Sequence, residues 1–202
     1  MSKRSTFLAI IICLLAIGAC KKSNHSGSTG PNPLTGNWLF DGETSTATTV
    51  STIQLGPISA KVTNLIAFRT TNNTGSLSFT ADSLDVLGVG YSIDTTYTTI
   101  TSTGFTNDTA VAPLTATTSA VDTAYTYQLI GQDSIYFPNG SPFSFDVDSV
   151  QPAIVIKGAH FSISGTTLTF TSTLNQSGNE TVDGITAPTT ASIKSVITLT
   201  KQ

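Results

Sequence analysis

Asp146 and Asp148 stand two residues apart, so on a β-strand their carboxylates share one face. Carboxylates so placed can pass protons to and from a substrate or hold a cation between them. Their neighbours Phe145 and Val147 alternate with them, however, as in any half-buried strand. No nucleophile elbow, phosphate-binding loop or metal-ligand spacing accompanies the pair. His25 lies in a polar linker and His160 stands alone beside Phe161, whereas zinc wants three or four ligands. The pattern therefore points away from an enzyme, and neither a metal nor another cofactor is expected.

A second pattern involves hydroxyls. Six aspartates are each followed by Ser or Thr and then by Ala, Ile, Leu, Val or Thr, where composition alone gives about 1.4 such triplets. The hydroxyl residues are Ser83, Thr95, Thr109, Thr123, Ser134 and Ser149. Asp-Ser and Asp-Thr also start turns, and the apolar residue that follows can begin a strand. The triplets resemble the O-glycosylation acceptor motif of periplasmic and outer-membrane proteins of the Bacteroidota. That resemblance implies glycans on some of these six hydroxyls, and exposed turns are where a glycan fits.

The elements that must position these residues read as strands. The chain holds 37 Thr and 24 Ser, and Thr favours strands over helix interiors. Apolar residues recur with period two through Ile58–Phe68, Leu77–Phe79, Val89–Tyr97, Tyr125–Leu129, Ala159–Ile163, Leu168–Leu174 and Ile193–Leu199. Clusters at 72–75 (NNTG), 131–134 (GQDS), 138–142 (PNGSP), 164–167 (SGTT) and 176–179 (QSGN) are suited to chain reversal. Residues 110–122 hold Pro113 and no clean stripe, which reads as a loop or short edge element. No segment reads as a helix. Eight to ten antiparallel strands result, forming a closed barrel or, alternatively, a sandwich. From Leu34 onward five basic residues face twelve acidic ones, a net charge of −7, which argues against nucleic acid, whose binding wants a basic stripe.

The N-terminus reads differently. Lys3 and Arg4 precede an apolar run from Phe7 to Ile17, too short to span a bilayer comfortably and ended by Gly18 and Ala19. Ile17-Gly18-Ala19-Cys20 resembles the lipobox of bacterial lipoproteins. The resemblance implies a signal peptide over 1–19 and palmitate-type acyl chains on Cys20, which would hold the protein on a membrane without a spanning helix. Past residue 19 Cys20 is the sole cysteine, so no disulfide or thiolate metal site is expected. Lys21, where an Asp would signal inner-membrane retention, implies the outer membrane. The absence of acidic residues just after Cys20 implies a periplasm-facing domain. Residues 20–33, rich in Ser, Gly, Asn and Pro, read as a flexible tether, and 34–202 as one β domain.

The opening of that domain, Leu34 to Phe40, places Gly36 and Trp38 as in the Gly-x-Trp start of lipocalins. In that family the Trp plugs the closed end of an eight-stranded up-and-down barrel. The hairpin-rich course and the final "ITLTK" also resemble the lipocalin-like domains of Bacteroidota lipoproteins. In that family a late Arg packs on the Trp; this chain lacks it, and Lys194 or Lys201 can supply its stem. The resemblance implies a small apolar ligand in the barrel, with Tyr91, Tyr127, Phe161 and Phe170 as pocket walls. The alternative is a filled domain, those aromatics being core, that serves the cell envelope through its surface. The protein partner such a role needs is not identifiable from sequence.

Overall fold

The computed structural model describes residues 31–142, 156–182 and 185–202. Asp146, Asp148 and Ser149 lie outside these residues, as do Cys20, the signal peptide and most of the tether. All regular structure among the described residues is β. In chain order the strands are β1 (Gly36–Leu55), β2 (Ile58–Arg69), β3 (Thr71–Phe79), β4 (Ser83–Ser102), β5 (Asn107–Thr126), β6 (Gln128–Ile130), β7 (Ser134–Tyr136), β8 (Gly158–Ser164), β9 (Thr167–Val182) and β10 (Ile185–Lys201).

Every pairing is antiparallel, and the strands follow one another in up-and-down order. β2 and β3 are two lengths of one strand, interrupted at Thr70 and lying between β1 and β4. β5 and β6 are likewise interrupted only at Tyr127. The last strand returns to the first: β10 pairs with β1 from Trp38↔Lys201 to Ser51↔Thr189. One hydrogen-bonded path thus curls back on itself, which selects the barrel over the sandwich.

Strand length decides where the barrel is complete. β1, β4 and β5 have 20 residues each, whereas β7 has 3. At about 3.3 Å per residue these are roughly 66 Å and 10 Å. The ring therefore closes only at the end occupied by β6, β7 and β8. Above it β9, β10, β1, β2, β4 and β5 run on as a curved sheet, with β5 and the upper part of β9 as its edges. β5 is exposed along nearly its whole length, and Pro113 within it is the residue expected on an edge.

The closed end is filled. Leu34, Trp38, Phe79, Leu84, Phe137, Leu168, Phe170 and Leu199 are all at most 2% exposed. Trp38 Nε1 donates to the Leu34 carbonyl at 2.8 Å, and the Lys201 ammonium lies 5.4 Å from the Trp38 ring centroid. The Trp38 ring is thus buried in the core of this end. Lys201, its direct cross-strand partner, caps it, while Lys194 faces solvent.

Three local readings are corrected. Residues 72–75 do not reverse the chain. Gly36 pairs with Phe79 but Thr44 with Arg69, so β3 carries two more residues than β1 over this stretch. Asn72 (φ +52°) and Gly75 (φ +89°) absorb them as a bulge. Residues 176–179 stay inside β9, paired with 188–191 of β10, because cross-strand bonding outweighs their turn propensity. Residues 110–122 are neither loop nor short; they belong to the full length of β5, templated by β4.

Candidate functional site

Glu43 is the buried ionisable group on β1, and a bulge puts it there. Strict alternation from Trp38 and Phe40 would aim residues 42 and 44 inward and Glu43 at solvent. The register with β10 shifts between Phe40 and Gly42, and Gly42 has φ +139°, a conformation that favours glycine. Downstream the inward set becomes Glu43, Ser45 and Thr49, each under 9% exposed. The bulge is clamped from β3 and from the break before it. Asn73 Nδ2 donates to the Asp41 carbonyl at 2.6 Å, and the Glu43 amide donates to Thr70 Oγ1 at 2.8 Å. A Cβ on Gly42 would stand 2.5 Å from Asn73 Nδ2, so the close approach needs glycine.

The Glu43 side chain lines a cavity of about 190 Å³ just above the filled end. Phe40, Leu77, Val86, Val89, Val121, Pro142 and Ile197 supply apolar walls; Tyr91 and Tyr125 add aromatic ones, and Thr118 and Thr123 add hydroxyls. For scale, an apolar cavity of roughly 150 Å³ takes up benzene. The walls come from β1, β3, β4, β5 and β10, with Pro142 arriving from the β7–β8 connection.

Electrostatics single out one end of this space. Ser195 of β10 donates its hydroxyl to Glu43 Oε1. Oε2 has no protein partner among the described residues. Burial raises the Glu43 carboxyl from 4.5 to about 8, against the smaller opposing effect of the Ser195 hydrogen bond. At neutral pH it is mostly the uncharged acid. Tyr91 is also raised, first by burial and further by the nearby Glu43, with Thr118 as hydrogen-bond partner opposing the shift. A carboxylic acid and a phenol thus line one cavity, close enough for the charge of the first to act on the second. Among the described residues no group of His, Cys, Asp and Glu could hold a metal ion.

Of the four aromatics expected as pocket walls, Tyr91 alone lines this cavity. Tyr127 packs edge-on against Phe79 at 5.8 Å, Phe79 stacks on Phe170 at 5.9 Å, and Phe161 meets Phe170 at 6.2 Å. The three are solid core, because at the closed end short strands bring their rings into mutual contact. His160 is an exposed β8 residue bonded to the Ser134 hydroxyl at 2.9 Å.

The hydroxyls of the Asp-Ser/Thr triplets scatter. Ser83 and Ser134 follow turns, and Thr109 lies exposed near the start of β5. Thr95 and Thr123 sit inside strands, and Thr95 donates to the Ala67 carbonyl at 2.7 Å. Glu43 is the residue that the alternation pattern misses. Its signal is a lone Gly42 between two acids just after an apolar strand start, since a strand-interior glycine marks a bulge. No family model, no curated protein and no solved structure matches this chain.

Proposed function

We propose that this protein is a lipid-anchored carrier or receptor that holds a small, largely apolar molecule inside its barrel. The observation that carries the reading is the chamber around Glu43. A β domain that fills its closed end with rings, yet leaves about 190 Å³ above them around a buried carboxyl, has a space suited to a ligand. The anchor is the Cys20 of the lipobox-like segment, on the outer membrane and facing the periplasm. β1 starts at the closed end, so the tether enters there, with the cavity and the long hairpins on the far side. No helix among the described residues is long and apolar enough to cross a membrane.

Native mass spectrometry of the protein purified gently from its own host tests the reading. A stoichiometric small molecule in addition to acyl and glycan mass supports it. A chain carrying only acyl and glycan mass opposes it. For the anchor, Cys20→Ser should move the protein from the membrane to the soluble fraction.

A second reading rests on the edges. The exposed β5 edge, with Val111 61% exposed, offers unpaired backbone to another strand. On this reading the protein is a component of an envelope assembly, and a charged residue or a second proline in β5 should release the partner while leaving the fold intact.

A further inference from the structure

We infer that the cavity selects a compact apolar molecule bearing one hydrogen-bond-accepting oxygen, a ketone or comparable carbonyl, and that Glu43 reads that oxygen as a proton donor. This rests on the proposed binding role of the same chamber.

The inference follows from how the carboxyl is held. Ser195 commits Oε1 as an acceptor, and Oε2 is left within a chamber whose other walls are mostly hydrocarbon. Glu43 is 6% exposed, and no basic side chain lines the cavity. Ionising it there without a counter-charge is costly, so the unpaired oxygen carries the proton and points a donor at the ligand. The Tyr91 phenol lines the same space and supplies a second hydroxyl. Two weak acids lining one cavity suit a carbonyl oxygen, the pair of groups by which a neutral carboxylic acid and a tyrosine hold an oxyanion in one isomerase. An apolar ligand lacking the oxygen would leave the Glu43 donor unpaired, and that penalty is the source of selectivity.

Other titratable groups do not complicate the site. Among the described residues lining it, Glu43, Tyr91 and Tyr125 are the titratable ones. Asp41 and Arg69 near the bulge, and Lys194 on β10, are solvent-exposed.

The test compares three molecules of nearly one shape on the purified full-length protein: acetophenone, ethylbenzene and 1-phenylethylamine, by calorimetry or ligand-observed NMR from pH 6 to 9. We expect acetophenone to bind about tenfold tighter than ethylbenzene at pH 6. That preference should fade above pH 8, as the donor ionises. Glu43→Gln, which keeps an N–H donor, should bind acetophenone without the pH dependence. Glu43→Leu should reduce the ketone's preference over the hydrocarbon to the smaller part that the Tyr91 hydroxyl supplies, with no change between pH 6 and 9. Equal binding of the two by the unaltered protein, or preference for the amine growing toward pH 8, overturns the inference while leaving the cavity a binding site. If none of the three binds to the folded protein, the binding role and the inference fall together.

Discussion

Replacing Glu43 by Gln should change how stability depends on pH more than any other single conservative substitution among the described residues. The carboxyl has its ordinary value of 4.5 in the unfolded chain and about 8 when buried. Below pH 4.5 it is neutral in both states, and the folded protein keeps its full stability. Between pH 4.5 and 8 the unfolded chain releases the proton while the folded one retains it, so stability falls as pH rises. Above pH 8 both states are ionised and the loss is complete. Each pH unit in that window costs about 1.4 kcal/mol, so the total is about 5 kcal/mol. Against a typical stability of about 5–15 kcal/mol this is a large fraction. Urea midpoints at pH 4.5, 6, 7 and 8 for both proteins supply the comparison. Because all other groups are shared, the difference between the two curves isolates Glu43. The glutamine protein should gain on the original steadily with pH, ending several kcal/mol more stable relative to it at pH 8 than at pH 4.5. Parallel curves would show that Glu43 ionises as if in water, and the account of the bulge burying it would be wrong.

Trp38→Ala should cost about 3–5 kcal/mol in thermal or urea unfolding, and Trp38→Phe about 1–2 kcal/mol through the orphaned Leu34 carbonyl. Lys201→Ala should cost at most about 1 kcal/mol, since its ammonium only caps the ring. Gly42→Ala should lower stability by about 1–3 kcal/mol, because φ is +139° and Asn73 blocks the new methyl; ligand titration should also show weakened binding as Glu43 shifts. Peptide mapping of the host-purified protein should find glycan on exposed Thr109 before Thr95, whose hydroxyl is spent on the Ala67 carbonyl; modification of Thr95 at full occupancy would contradict this.

Much of the fold was legible in the chain itself. Period-two alternation and Thr-rich composition determine strands, and Gly36 and Trp38 mark the start of the first one, because side-chain direction and β-propensity are local properties. The turns at 131–134 and 164–167 were equally local, and they stand between β6 and β7 and between β8 and β9. Residues 72–75 and 176–179 carry the same turn chemistry and do not turn, since hydrogen bonds to distant strands decide their conformation. The three aromatics Tyr127, Phe161 and Phe170 look like pocket walls by parity. Whether an inward ring faces a space or another ring depends on how many strands surround it, and β7 contributes only three residues. Glu43 shows the division most sharply. Its type is in the sequence, but its direction is set by one extra residue at Gly42, held by Asn73 of β3 and by Thr70 just before it. A single slip in register exchanges inside for outside along the rest of a strand. Composition and alternation therefore determined that this is a β domain. Only the pairing of residues far apart in the chain decided that a carboxyl lies buried in its wall.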